Sequence, residues 1–188
     1  VTASPTVTTS YTVTITDVNN CPAATATVNV VVATPLSVVA SNDATICSGQ
    51  STNLSAVATG GNGVYTYSWS PATSPTTGAN VVATPGATAT YTVTVNDGCG
   101  TPAATDNVIV TVNPIPTLSI TTSNPAGCVI WCVDFTGTSN PASASCNWTF
   151  TNGSTALNNC NPTICFTSPG NYGATLNVTD INGCTNSM

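Results

Sequence analysis

One stretch of this chain is written twice. Residues 1–17 read VTASPTVTTSYTVTITD and residues 81–97 read VVATPGATATYTVTVND, so Pro5 aligns with Pro85, Tyr11 with Tyr91 and Asp17 with Asp97, each 80 positions apart. Each copy runs on into a cysteine (Cys21, Cys99), a Pro-Ala-Ala-Thr segment, a Val-rich run and a proline (Pro35, Pro114). A period of about 80 residues is longer than that of solenoid repeats and suits a string of small β-sandwich domains.

The repeat carries a period of two. Tyr65, Tyr67 and Trp69 fall on one face of a strand, and Tyr91, Val93 and Val95 fall on one face of another, with Thr on the reverse. Val108–Val112 makes a last strand that Asn113-Pro114 stops, and glycine-rich turns such as Thr59–Gly63 and Asn96-Asp97-Gly98 separate the runs. No segment shows the 3–4 spacing of an amphipathic helix with a cap, so the expected fold class is all-β with almost no helix. The expected organisation is residues 1–34 as the C-terminal part of one domain, 35–114 as a complete domain, and 115–188 as a further sandwich ending before its last strand. Thr34-Pro35 and Pro114-Ile115-Pro116 are short, proline-stiffened linkers, which implies a semi-rigid rod. The text has no initiator Met or signal peptide and reads as a window from a longer tandem array.

Composition narrows the function. The 188 residues include no Lys, no Arg and no His, and the six acidic residues are all Asp, for a net charge of −6. Charged residues make up 3% of the chain, against an ordinary share of about 25%. Such a chain has no imidazole base, no Schiff-base amine and no cation to bind phosphates, so nucleic-acid binding is excluded and an enzyme is not expected. Mean hydropathy is +0.23, yet no apolar run approaches the roughly 18 residues of a membrane helix; membrane insertion is not expected. Alternating β-branched runs argue against disorder.

Nine cysteines in a chain without histidine point to disulfides and an oxidising compartment. Cys47 precedes the strand 52–57 and Cys99 follows the strand 91–95, so the expected bond Cys47–Cys99 ties two strand ends. By the repeat, Cys21 is equivalent to Cys99 and has no partner in this chain. Residues 115–188 hold six cysteines. Cys128 and Cys184 repeat the layout of Cys47 and Cys99 and are expected to pair. Cys132 and Cys165 each alternate with core-facing neighbours and are expected to meet on the outer face of one sheet, which leaves Cys146–Cys160. The Cys-x3-Cys and Cys-x4-Cys steps lie on expected strands and loops without the convergence of a thiolate metal cluster, so no metal or other cofactor is expected.

Ile46-Cys47-Ser48-Gly49-Gln50, Tyr67-Ser68-Trp69-Ser70-Pro71, Ala89–Val95 and Asp97-Gly98-Cys99 resemble the immunoglobulin-like repeats of very large cell-surface proteins of Bacteroidota. Gly127-Cys128, Val133-Asp134-Phe135-Thr136, Trp148-Thr149-Phe150, Ser168-Pro169-Gly170-Asn171-Tyr172 and Val178–Cys184 resemble the polycystic-kidney-disease (PKD) domain found in the same proteins. The resemblance implies tandem immunoglobulin-like and PKD-like β-sandwich domains in a linear array, acting as spacers in surface adhesins or filaments exported by the type IX route. Where a PKD domain carries Gly-Asp-Gly after its Trp-x-Phe, this chain has Thr151-Asn152-Gly153. The four extra cysteines of residues 115–188 are not general to that domain.

The remaining candidates are weighed against simpler roles. Asp17, Asp97 and Asp180 each close a strand ahead of a turn, a place for Asx capping, and with Asp43, Asp106 and Asp134 they form no acidic cluster of the kind calcium needs. Tyr65, Tyr67, Trp69, Trp131 and Trp148 could form a sugar platform, but their register with Val and Phe assigns them to the core. Four sequons make Asn53, Asn147, Asn152 and Asn177 available N-glycan acceptors, no more than chance supplies; the 38 Thr and 18 Ser are better suited to O-linked sugar. The function expected is a disulfide-stabilised structural segment of an extracellular fibre or adhesin stalk. Its partners would be neighbouring domains of the same chain or identical copies in a fibre, with covalent glycans. The alternative is a module that binds a glycan or surface ligand through loops such as Thr59–Gly63.

Overall fold

A computed structural model describes residues 1–19, 21–123, 126–128 and 130–188. Among them are sixteen strands and no helix. The chain gathers into two compact units: Val1–Asn42, Asn53–Ala83 and Thr90–Ile109 form one, and Asp43–Thr52, Thr84–Ala89 and Val110–Met188 form the other.

At the start, β1 (Thr9–Ile15) and β2 (Ala24–Val30) make an antiparallel hairpin in continuous register from Thr9↔Val30 to Ile15↔Ala24. The strands that follow are β3 (Ser37–Ala40), β4 (Ala44–Cys47), β5 (Thr52–Thr59), β6 (Thr66–Ser70), β7 (Asn80–Ala83), β8 (Ala89–Asn96) and β9 (Ala104–Asn113). They form a three-stranded sheet, β3-β5-β7, and a four-stranded sheet, β4-β9-β8-β6. In β5 and β8 buried and exposed residues alternate, so Leu54, Ala56 and Ala58 face inward, as do Tyr91, Val93 and Val95, while Thr and Ser face out. Thr suits that outer face because its branched Cβ fits the pleat and its hydroxyl needs no charge to stay hydrated. Trp69 is buried with its indole N–H on the Gly78 carbonyl at 3.0 Å. Tyr65 and Tyr67 are half-buried instead, because a phenol must reach a polar partner. The Tyr65 hydroxyl donates to the Gly60 carbonyl at 2.7 Å, and the Tyr67 oxygen accepts the Ala58 N–H at 3.3 Å. Gly60 is required here: its φ is +80°, and a Cβ would stand 2.0 Å from the Pro35 carbonyl oxygen.

The later strands are β10 (Thr117–Thr122), β11 (Trp131–Asn140), β12 (Ser143–Phe150), β13 (Thr155–Leu157), β14 (Thr163–Phe166), β15 (Ala174–Asp180) and β16 (Thr185–Ser187), in sheets β10-β11-β14 and β13-β12-β15-β16. The core between them holds Val133, Phe135, Cys146, Trp148, Phe150, Phe166, Leu176 and Val178. Trp148 stacks on Phe150 at 5.9 Å, and Phe135 meets Phe150 edge-on at 4.9 Å. Gly137 leaves the space that Trp148 fills; a Cβ there would lie 2.7 Å from Leu176 Cδ2 and 3.0 Å from the indole. At the end of the given sequence Thr185–Ser187 forms β16, which pairs antiparallel with β15, and Met188 exchanges both backbone hydrogen bonds with Leu176. Three polar residues carry too little periodicity to be read as a strand; the exposed edge of β15 selects it.

Candidate functional site

The chemistry-bearing residues of this chain are its cysteines and the aspartates that present them. Asp17, Asp97 and Asp180 each fold the turn after a strand by accepting backbone N–H groups on the side chain. Asp17 Oδ1 takes the N–H of Asn19 and of Cys21, both at 3.0 Å. Asp97 Oδ1 takes Cys99 N–H at 3.0 Å, and Asp180 Oδ1 takes those of Asn182 and Cys184 at 2.8 Å. In all three turns one carboxylate oxygen anchors the cysteine backbone, which is the Asx geometry that short acidic side chains favour. The N–H of Cys21 holds the Asp17 carboxyl below its ordinary range, and the N–H groups of Ala40 and Asn107 do the same for Asp106. Asp134 serves the other sandwich, accepting the Thr163 hydroxyl at 2.5 Å.

Three disulfides are formed. Cys132–Cys165 joins β11 to β14 at directly opposed positions, and Cys146–Cys160 joins β12 to the loop ahead of β14. The third departs from the sequence reading: Cys47 is bonded to Cys184, 137 residues away, so neither Cys47–Cys99 nor Cys128–Cys184 forms. The direction of β4 is the reason. It runs parallel to β9, with Cys47 beside Asn113 at the C-terminal end of that strand. Cys99 lies ahead of Ala104, at the N-terminal end. β9 has ten residues, a length of roughly 30 Å at about 3.3 Å per residue, whereas a disulfide needs Cα atoms within about 7 Å. A parallel pairing of short strands leaves no mark in the pattern of side chains, so strand ends that look adjacent in sequence sit at opposite ends of the sheet.

Cys21, Cys99 and Cys128 are free and exposed. Cys99 Sγ accepts the Asn62 side-chain N–H at 3.0 Å. Cys128 lines an open cleft of about 680 Å³ together with Trp131, Phe166 and Tyr172, the last two stacked at 4.3 Å. Trp131 is therefore half-buried at the cleft, whereas Trp148, from the same set of aromatics, is fully buried. Of the sequon residues, Asn53, Asn152 and Asn177 are exposed and Asn147 is half-buried, with its side-chain oxygen taking the Asn158 N–H at 3.0 Å. Among the described residues no three His, Cys, Asp or Glu side chains converge as a metal site, and no helix is long and apolar enough to cross a membrane. The sequence reading missed the cleft, since its walls come from β11, β14 and the loop 168–172, which only the fold assembles.

Residues 113–188 match the PKD domain family. No curated protein matches the chain. Among solved structures the chain is similar to Sidekick-1 immunoglobulin domains 1–5, at 14% identity and a TM-score of 0.44, over 96% of this chain and 45% of that one. It is also similar to the amphioxus IgVJ-C2 molecule, at 17% identity and a TM-score of 0.34 over 77% and 96% of the two chains. The titin domains z1z2 in complex with telethonin are a third likeness, at 13% identity and a TM-score of 0.36 over 82% and 92%. The chain thus spans less than half the length of the Sidekick-1 fragment.

Proposed function

We propose that this chain is a structural repeat segment of an extracellular fibre or cell-surface adhesin stalk, whose task is to keep its shape under load and proteolysis. The carrying observation is the Cys47–Cys184 bond, which closes a loop of 137 residues. Constraining a loop of that length in the unfolded chain is worth about 5 kcal/mol on the chain-entropy estimate, and the two shorter bonds about 3–4 kcal/mol each. Such a framework persists only in an oxidising compartment. The lack of Lys and Arg removes every trypsin-type cleavage site, and low charge lets neighbouring repeats or copies approach without long-range repulsion. The PKD match over residues 113–188 supports a β-sandwich spacer, the Bacteroidota surface proteins remain the source that the sequence resemblance implies, and the boundaries 1–34, 35–114 and 115–188 are the repeat units of this reading. Exposed Asn53, Asn152 and Asn177 and the Thr-rich outer faces are where covalent glycans would sit.

The cleft edged by Trp131 and Tyr172 favours a second reading, a glycan-binding module, because aromatic faces stack on sugar rings. Two measurements separate the readings. Reduction of the intact chain is expected to lower the thermal midpoint by well over ten degrees and to convert pepsin resistance into rapid digestion. A glycan array is expected to be blank; specific micromolar binding, or catalytic turnover of any kind, would refute the passive role.

A further inference from the structure

Three asparagines in this chain are followed by glycine: Asn62-Gly63, Asn152-Gly153 and Asn182-Gly183. Such a pair is chemically self-reactive, because glycine has no side chain to shield its backbone nitrogen from the neighbouring amide carbon. Reaction needs the asparagine side chain to swing onto that nitrogen, so hydrogen bonds that hold the side chain elsewhere suppress it. All three asparagines are exposed, and all three glycines have a positive φ, between +81° and +87°. Sequence and water access therefore do not distinguish the three sites.

The hydrogen bonds do. Asn62 is tied at both ends of its amide: Oδ1 accepts the Val64 N–H at 2.8 Å, while Nδ2 donates to the Asp97 carbonyl at 2.7 Å and to Cys99 Sγ at 3.0 Å. Asn152 and Asn182 sit in turns of one design, in which the Gly153 N–H donates to the Phe150 carbonyl and the Gly183 N–H to the Asp180 carbonyl. In the first turn Asn152 Oδ1 accepts the N–H two residues on, that of Ser154, at 3.0 Å. In the second the corresponding N–H belongs to Cys184, and Asp180 Oδ1 already holds it at 2.8 Å. The Asp180 carboxylate thus occupies the donor that would restrain Asn182, whose side chain has no hydrogen-bond partner among the described residues.

We infer that Asn182 is a self-modification site, converting to aspartate and isoaspartate through a succinimide, and that the Asp180 turn is what selects it. The Gly183 nitrogen attacks Asn182 Cγ and loses its proton as the side-chain nitrogen departs as ammonia, closing a five-membered imide. Water then adds to either imide carbonyl and opens the ring. The balance is one water taken up and one ammonia released, with no electron transfer and no cofactor. The product adds one negative charge to the chain's −6, within the Asp180 turn, where like charges repel. In the isoaspartate form the main chain also runs through Cβ, so an extra methylene enters the turn that aligns Thr179 with Thr185. The inference rests on these hydrogen bonds and holds whether or not the chain is part of a fibre.

The test ages the intact 188-residue chain, its disulfides formed, in mildly alkaline buffer at body temperature, and maps its peptic peptides over several weeks. Conversion at each asparagine is read as the small mass gain from amide to carboxyl, and isoaspartate by its separate chromatographic peak. Asn182 is expected to convert several-fold faster than Asn152, with Asn62 slowest. In the reduced chain unfolded in urea the three rates are expected to converge. Asn182→Gln is expected to remove the main acidic species seen on isoelectric focusing of the aged protein, because the longer side chain closes a ring far more slowly. The inference is overturned if Asn152 or Asn62 keeps pace with Asn182 in the folded chain, if the folded ranking persists in urea, or if the acidic species survives Asn182→Gln.

Discussion

The hairpins β1–β2 and β8–β9 share a sequence pattern and have opposite environments. Tyr11, Val13 and Ile15 stand where Tyr91, Val93 and Val95 stand, and Val28 where Val108 stands, all 80 positions apart. Val13, Ile15 and Val28 are 57%, 67% and 61% exposed, whereas Val93, Val95 and Val108 are 0% exposed. Alternation selects which side chains share a face. It does not supply what covers that face. In the second hairpin the cover is the rest of a sandwich; in the first the same apolar face is left open. Each aliphatic side chain moved from water to a core contributes about 1.5–3 kcal/mol, and a two-stranded hairpin without that contribution is marginal in water.

The largest test of this contrast is a charge placed on matching positions. Val93→Asp is expected to cost at least about 3 kcal/mol, because an unpaired carboxylate would be buried, while Val13→Asp is expected to stay within about 0.5 kcal/mol, as exposed substitutions do. Chemical denaturation of the whole chain reads both. Equal losses would mean that β1–β2 is covered in solution. A smaller difference is expected at the turns. Asp97 is buried and its carboxylate also accepts the Asn62 N–H, joining two loops, whereas Asp17 serves only its own exposed turn. Asp97→Ala should lower the thermal midpoint by a few degrees and Asp17→Ala should leave it nearly unchanged.

The smallest effect is in acid. Asp17 and Asp106 have folded-state pKa values below the usual 3.8, through the N–H of Cys21 and of Ala40 respectively. A lowered carboxyl pKa contributes stability that is complete above the unfolded value and is lost as pH falls through the folded one. Stability should therefore be flat from about pH 5 to 8, where no histidine titrates, and decline below about pH 4. Asp106→Asn should flatten that decline more than Asp17→Asn, because Asp106 holds β3 and Asp17 holds a local loop. A midpoint that moves between pH 6 and 7 would contradict the assignment.

Much of the molecule was present in the residues as written. Strand alternation places Cys132 and Cys165 on one face, and the register of β11 and β14 sets them directly opposite. Asp-turn chemistry is local, so three recurrences of Asp ahead of Cys sufficed to mark three equivalent turns. The fold class followed from period-2 runs of Val, Thr and Tyr between glycine and proline punctuation. What the residues alone left open was every relation between segments far apart in the chain. Whether β4 joins β9 in the parallel or antiparallel sense changes no side chain, yet it moves Cys47 from reach of Cys99 to reach of Cys184. The aromatic cleft and the edge strand β16 belong to the same class, since neither has a periodic signature of its own. Local patterns are fixed by stereochemistry over a few bonds, and the sequence determined those; the pairing of distant cysteines depends on which strand ends share a side of the sheet, and only the folded backbone decided that.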